Sequence, residues 1–356
     1  MTDTIHRLET IDTAALSRFD AVIDVRSPGE FAEDHLPGAE NLPVLDDAQR
    51  AEVGTIYVQE SKFRARRLGA AHVARNIAAH LDGALADRPS GFQPLVYCWR
   101  GGQRSHAMAT ILSQVGWRTT LLVGGYRTWR RHVTERLYGE APAPKLVLLD
   151  GGTGTAKTEI LGRLAERGVQ TLDLEGLAAH RGSLLGALPG RPQPGQKLFE
   201  SRLLEAMERL DPSRPVLVEA ESSKIGEIML PPVLWRAMQA APRIEVCAPT
   251  AERATYLAQT YRDLAEDQAA LYAALSRLPR HHSRERLAEW RELADTRAFS
   301  ALAEALIEAH YDPAYRRSSR EDARPRLGVV TLPTLDPGSQ ERAADAVAGL
   351  VDGWRA

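Results

Sequence analysis

The chain has almost no cysteine: Cys98 and Cys247 are the only two in 356 residues. That excludes a disulfide framework and any zinc site built on several thiolates, and it suits a reducing compartment. Excess charge of either sign is also missing, since 45 basic residues face 47 acidic ones for a net charge of −2. A uniformly basic nucleic-acid binder is thereby excluded, and any polyanion must be met by a local patch. No apolar run reaches membrane-spanning length, and Met1 to His6 lack the basic-then-apolar order of a secretory leader. The expectation is a cytoplasmic protein with no membrane partner. The ten histidines show no metal-ligand spacing, so no metal ligand set is assigned.

What is present is an α/β pattern of two-domain length. Strand-like runs at Ala21–Arg26, Leu95–Tyr97 and Thr120–Val123 alternate with helical stretches, one of them from about Lys62 to Leu81. This alternation predicts a parallel sheet covered by helices. Ala141-Pro142-Ala143-Pro144 stops any helix and reads as a linker. A second α/β domain begins at once with Leu146–Leu149, and later strands are predicted at Thr171–Leu174, Pro215–Glu219, Arg243–Val246 and Leu327–Leu332. The domains are accordingly placed at 1–140 and 145–356, the second carrying a helical region over about 250–320, rich in Ala, Leu, Glu and Arg.

The most telling stretch is Tyr97-Cys98-Trp99-Arg100-Gly101-Gly102-Gln103-Arg104-Ser105. A strand delivers a cysteine into a glycine-rich loop, and a helix starting near Arg104 turns backbone amides and its positive end toward the sulfur. Such surroundings favour a thiolate nucleophile and an oxyanion cradle. Cys98, Arg100 and Arg104 are the candidate catalytic residues, with Gly101, Gly102, Gln103 and Ser105 lining the anion site. Cys247, on an apolar strand, is expected in the core.

A second loop, Gly151-Gly152-Thr153-Gly154-Thr155-Ala156-Lys157-Thr158, nearly satisfies the phosphate-binding pattern G-x-x-x-x-G-K-[ST], and has the required strand before and helix after. Gly152 to Thr158 are assigned to diphosphate binding, with Lys157 neutralising charge and the Thr158 hydroxyl placed to reach magnesium. No tightly bound cofactor is expected. Ala156 stands where the pattern has its last glycine, and its methyl is expected to crowd the phosphates, which favours diphosphate binding over nucleotide hydrolysis. Glu219 and Glu221, after a strand, are candidates for the magnesium-organising acid. Asp173, Glu175, His180 and Arg181 lie in a segment that reads as a substrate loop. Three basic clusters offer polyanion contacts: Arg64, Arg66 and Arg67; Arg127, Arg130 and Arg131; and Arg277, Arg280, His281, His282, Arg284 and Arg286.

Several of these blocks resemble known families. Asp24-Val25-Arg26, Glu30-Phe31, His35 to Asn41, Cys98 to Ser105 and Val123 to Trp129 are similar to the signatures of rhodanese domains, which carry sulfur or selenium on a cysteine. The loop has five residues between Cys98 and Arg104 where the usual rhodanese has four. It looks like the wider loops of phosphatase relatives, and implies a phosphorus-bearing donor. A rhodanese domain followed by a P-loop domain, with Gln196 to Glu200, Glu221 to Gly226 and His310 to Tyr315, resembles the tRNA 2-selenouridine synthase family over nearly the whole chain.

That resemblance implies a transferase acting on the wobble uridine of the anticodon loop of tRNA. It would replace the sulfur of 2-thiouridine by selenium from selenophosphate, after S-geranylation from geranyl diphosphate in the P-loop domain. The selenophosphate-producing enzyme is a further partner it suggests. Two alternatives from the residues alone stay open: a rhodanese-type sulfurtransferase or cysteine phosphatase fused to a P-loop small-molecule kinase, and a regulatory module that senses sulfur or nucleotide.

Overall fold

Val22, Ile23, Leu95 and Val96 are buried on consecutive positions of neighbouring strands, as parallel strands covered by helices on both faces must be. In the computed structural model, which describes residues 5–354 apart from 184, 279–281 and 321–322, they form the centre of the first of two five-stranded sheets. Strands β1 (His6–Leu8), β2 (Ala21–Asp24), β3 (Ala39–Asn41), β4 (Pro94–Tyr97) and β5 (Thr120–Leu122) run parallel in the order β1-β5-β4-β2-β3. Parallel neighbours need crossovers. The helices Asp47–Gln59, Lys62–Asp82 and Gln103–Val115 lie within them. Phe92, Met108, Leu112 and Trp117 close the core.

The second sheet is built from β6 (Leu146–Asp150), β7 (Thr171–Leu172), β8 (Val216–Glu219), β11 (Arg243–Cys247) and β12 (Arg326–Thr331), parallel in the order β12-β11-β6-β8-β7. A short antiparallel pair, β9 (Lys224–Ile225) and β10 (Ile228–Met229), stands apart from it. Helices Lys157–Glu166 and Pro337–Asp352 pack Ile160, Leu161, Leu164, Ala344 and Val347 into the core. The region predicted helical over about 250–320 folds as helices Thr250–Thr260, Arg262–Glu266, Gln268–Ser276, Arg284–Asp295 and Phe299–Leu306, followed by a π turn at Ile307–Tyr311 and the helix Asp312–Arg320.

The chain divides into two units, and one boundary differs from the sequence expectation. Residues 1–141 form the first unit together with 195–209, while 142–194 and 210–356 form the second. The helix Gln196–Glu208 thus belongs with the N-terminal unit, although it follows the P-loop in sequence. Leu198, Phe199, Leu203 and Leu204 are buried, each worth about 1.5–3 kcal/mol. Trp129 donates its ring N–H to Ser201 (3.0 Å), Tyr138 donates to Glu200 (2.6 Å), and His132 meets Glu208 (2.7 Å).

Candidate active sites

Cys98 follows β4 directly, so it stands beyond the carboxyl end of a central strand, where open parallel sheets place their ligands. Its sulfur accepts hydrogen bonds from the Gly102 amide (3.3 Å) and the Ser105 hydroxyl (3.1 Å). The helix Gln103–Val115 starts one residue earlier than expected, with Gly102 as its cap. The Val123–Trp129 segment closes the loop from behind: the Tyr126 amide donates to the Cys98 carbonyl (2.8 Å) and that of Arg127 to Trp99 (3.3 Å). Gly125, at φ +59°, allows this approach, because a Cβ there would strike the Cys98 carbonyl.

Buried groups fix the floor of the site. Arg26 forms an ion pair with Asp24 (2.6 Å), donates to the Asp34 carbonyl (2.6 Å) and lies 4.2 Å from the Tyr126 ring centroid. The Tyr126 hydroxyl in turn donates to Asp34 (2.7 Å), whose carboxyl is pushed up by burial. Trp99 stacks on Tyr126 with centroids 5.1 Å apart. The two loop arginines separate in role. Arg104 is committed to Glu30 (2.6 and 3.2 Å), whereas Arg100 is exposed and makes no ion pair among the described residues.

The P-loop follows β6, as the sequence predicts. Lys157 lies over the loop, its ammonium donating to the carbonyls of Gly151 (2.8 Å) and Gly152 (3.3 Å). Ala156 departs from expectation. Its methyl joins the buried core with Ile160 and Val147, and the misfit is carried by the backbone, held at φ +59°. Such a left-handed non-glycine residue costs on the order of 1 kcal/mol, which the surrounding packing must offset.

A cleft of about 440 Å³ opens over this loop, lined by Gly151, Thr153 to Glu159, Glu175, Arg181 and Glu221. Thr158 donates to Glu175 (3.0 Å). Burial, and then the charge of Glu221, push the Glu175 carboxyl up to about 8, against the pull of Lys157. Gly182, at φ +64°, packs against both carboxyl groups, where a side chain would collide with each.

Four predicted residues fall elsewhere or serve the scaffold. Glu219 is fully buried, accepts from the Leu174 amide (3.2 Å) and is raised well above the carboxylate range by burial and then by Asp173, so Glu221 and not Glu219 faces the cleft. Asp173 caps the helix Leu174–Ala178 through the Gly176 amide (2.7 Å). His180 is buried in a bridge to Ala187, and burial lowers its pKa. Arg181 does reach the cleft but is tied to Asp263 (2.8 Å).

Sequence reasoning missed a narrow apolar recess that continues the cleft. It shares Thr153, Ser183, Leu257 and Tyr261 with the phosphate site and is walled by Leu264, Leu271, Phe299, Leu302 and Leu306. These leucines recur at helical spacing and read as ordinary core; only the fold brings them to the P-loop. Cys247 is half-buried instead of core, beside Gly152, Arg253 and Tyr315, and burial pushes its thiol up.

The basic clusters also part ways. Arg130 is taken by Glu200 and Asp34. In the third cluster Arg280 and His281 lie outside the described residues, His282 is buried, and Arg284 and Arg286 share their helix with Glu285 and Glu289. Arg64, Arg66 and Arg67 are exposed on the helix Lys62–Asp82. Among the described residues, no three His, Cys, Asp or Glu side chains gather to hold a metal, and no helix is long and apolar enough to cross a membrane.

Known proteins share this combination. The rhodanese-like domain family matches residues 8–132, and the tRNA 2-selenouridine synthase AAA domain family matches residues 144–284. The tRNA 2-selenouridine synthase of Aeromonas salmonicida is 36% identical over 323 residues, covering 83% of this chain and 86% of that one. The corresponding proteins of Nitrosomonas europaea (35%, covering 67% of this chain and 63% of that one) and Cupriavidus necator (37%, covering 71% and 68%) are similar over shorter spans. With both domains matched in order and most of a curated relative covered, the chain belongs to the tRNA 2-selenouridine synthase family.

Proposed function

We propose that each unit performs one half of a two-step exchange at the wobble 2-thiouridine of tRNA: S-geranylation from geranyl diphosphate at the P-loop, then replacement of the geranylthio group by selenium from selenophosphate at the Cys98 loop. The observation that carries the first half is the junction of a phosphate cradle with an apolar recess. A ligand with a diphosphate head and a hydrocarbon tail would engage both at once, whereas a nucleotide would leave the recess unused.

In that step the thiouridine sulfur attacks the first carbon of the geranyl chain. The carbon–oxygen bond to the diphosphate breaks, and the N3 proton leaves the base. The amides of Gly152 to Thr158 and the Lys157 ammonium receive the charge that develops on the leaving diphosphate. Thr158, Glu175 and Glu221 are the groups that would hold a magnesium ion, which when bound would neutralise part of the same charge. S-alkylation also converts sulfur at C2 into a good leaving group, which prepares the second step.

For that step the loop amides and Arg100 would hold the phosphate of selenophosphate, with Cys98 beside the selenium; the selenium bonds to C2 as geranylthiol leaves, and water then cleaves the phosphorus–selenium bond to release phosphate. Arg104 acts at one remove, by fixing Glu30 against the loop.

The test is mass spectrometry of nucleosides from 2-thiouridine tRNA incubated with the protein and either geranyl diphosphate alone or both donors. Geranylthiouridine lost in Lys157→Ala, and selenouridine lost in Cys98→Ala with geranylthiouridine accumulating, is the expected result. Selenouridine formed without geranyl diphosphate, or full activity in Cys98→Ala, would overturn this division.

A further inference from the structure

The helices Asp47–Gln59 and Lys62–Asp82 form a hairpin joined by only Glu60 and Ser61, and every residue from Tyr57 to Arg64 is exposed. Three large apolar side chains stand in solvent there: Val58 at 82%, Phe63 at 77% and Tyr57 at 43% exposure. Such a cluster is costly to leave uncovered and marks a surface that meets a partner. Its chemistry selects the partner. Lys62, Arg64, Arg66 and Arg67 are four cations within six residues, and Glu60, bonded to Arg64, is the single acid between Tyr57 and Arg67. Arg66 and Arg67 make no ion pair among the described residues, and the Lys62 ammonium stands 5.7 Å from the Tyr57 ring centroid.

Exposed aromatic rings set among unpaired cations match single-stranded RNA, whose bases stack on rings while its phosphates meet the charges. The hairpin also leads toward the reactive loop of its own unit. A groove of about 770 Å³ runs from Tyr57 and Arg66 past Val53, Ala70 and Ala74 to Gln103 and Arg104, at the start of the helix that follows Cys98.

We propose that this hairpin is the tRNA-docking element of the N-terminal unit. Phe63 and Tyr57 stack on unpaired bases of the anticodon loop, and Lys62, Arg66 and Arg67 hold the flanking phosphates. The inference rests on the family reading, which makes tRNA the substrate.

The test titrates a fluorescently labelled tRNA bearing wobble 2-thiouridine with the full chain over a series of salt concentrations. Phe63→Ala should weaken binding about tenfold with the salt slope unchanged. The combined Lys62→Ala, Arg66→Ala, Arg67→Ala variant should flatten the log–log salt slope by about 2, near 0.7 for each lost phosphate contact. In the unmutated chain, tRNA should protect Lys62 from acylation, a readout that does not depend on any variant folding. Wild-type affinity and slope in both variants, with Lys62 unprotected in the complex, would overturn the proposal while leaving the family reading intact. An unmutated chain that fails to bind this tRNA at low salt would overturn both. Protection of Lys62 by an acidic protein but not by tRNA would assign the surface to a protein partner instead.

Discussion

Arg104 gives both outer nitrogens to Glu30, Nη1 to Oε2 at 2.6 Å and Nη2 to Oε1 at 3.2 Å, so the second arginine of the reactive loop is spent on structure. Burial works against ionisation of Glu30, but the Arg104 bonds outweigh it and hold its carboxyl below the usual range. Arg104→Ala should therefore lower the thermal midpoint, at a cost of about 1 kcal/mol of stability, because it leaves the largely buried Glu30 carboxylate with only Ser27 and the more distant Arg50. Arg100→Ala should leave the midpoint alone and raise the KM for selenophosphate. Differential scanning fluorimetry beside steady-state kinetics separates the two.

Ser105 supplies one of two donors to the Cys98 sulfur. Ser105→Ala removes one of the two hydrogen bonds that orient the buried Cys98 sulfur, and should change the rate at which iodoacetamide alkylates it. An unchanged alkylation rate would mean that the Gly102 amide suffices.

Glu175 should make the second unit sensitive to alkali. Its folded-state pKa, about 8, lies above the value of an unfolded glutamate, so its contribution is complete below about pH 4.5 and is lost as pH rises through 8. Glu175→Gln removes that loss. Its thermal midpoint should exceed that of the unmutated chain at pH 9 by about 2–4 °C, corresponding to roughly 1 kcal/mol after allowance for the solvent that reaches this partly buried side chain, and the gap should close toward pH 5. Midpoints that run parallel across this range would contradict the assignment.

Ala258 lines the apolar recess between Leu257 and Tyr261. Ala258→Trp should fill it and abolish geranylation of 2-thiouridine tRNA while binding of inorganic diphosphate, measured by calorimetry, persists. Loss of both would show only that the unit had been distorted, so retained diphosphate binding is the decisive control.

Glu208 ties the helix Gln196–Glu208 to the N-terminal unit. Burial opposes its ionisation, yet the bonds from His132 and Thr13 prevail and hold its carboxyl at about 2. The contribution, up to about 3 kcal/mol, is present above pH 4.5 and is lost as pH falls toward 2. Glu208→Gln should lower stability at pH 7 and abolish this part of the acid dependence, which equilibrium unfolding at both pH values would show.

Local signals announced much of this protein. Buried strands, the P-loop and the cysteine loop each declare themselves through short runs, an apolar segment and then glycines, whose backbone requirements act within a few residues. The helix Gln196–Glu208 illustrates the limit: its apolar face says that it docks, but only the bonds to Trp129, His132 and Tyr138, more than 60 residues away, say where. The same holds for charge. Arg104 and Arg130 look as available in sequence as Arg100 and Arg66 until Glu30 and Glu200 are brought against them. Glu219 and Glu221, two residues apart on an extended segment, differ because one is turned into the core and the other into the cleft. The sequence by itself determined the reactive residue types, the fold class and the family, because these rest on contiguous motifs. The tertiary structure alone decided which charges are free, which acids are wet and where an apolar recess meets a phosphate cradle, because pairing and burial depend on neighbours that the chain supplies from far away.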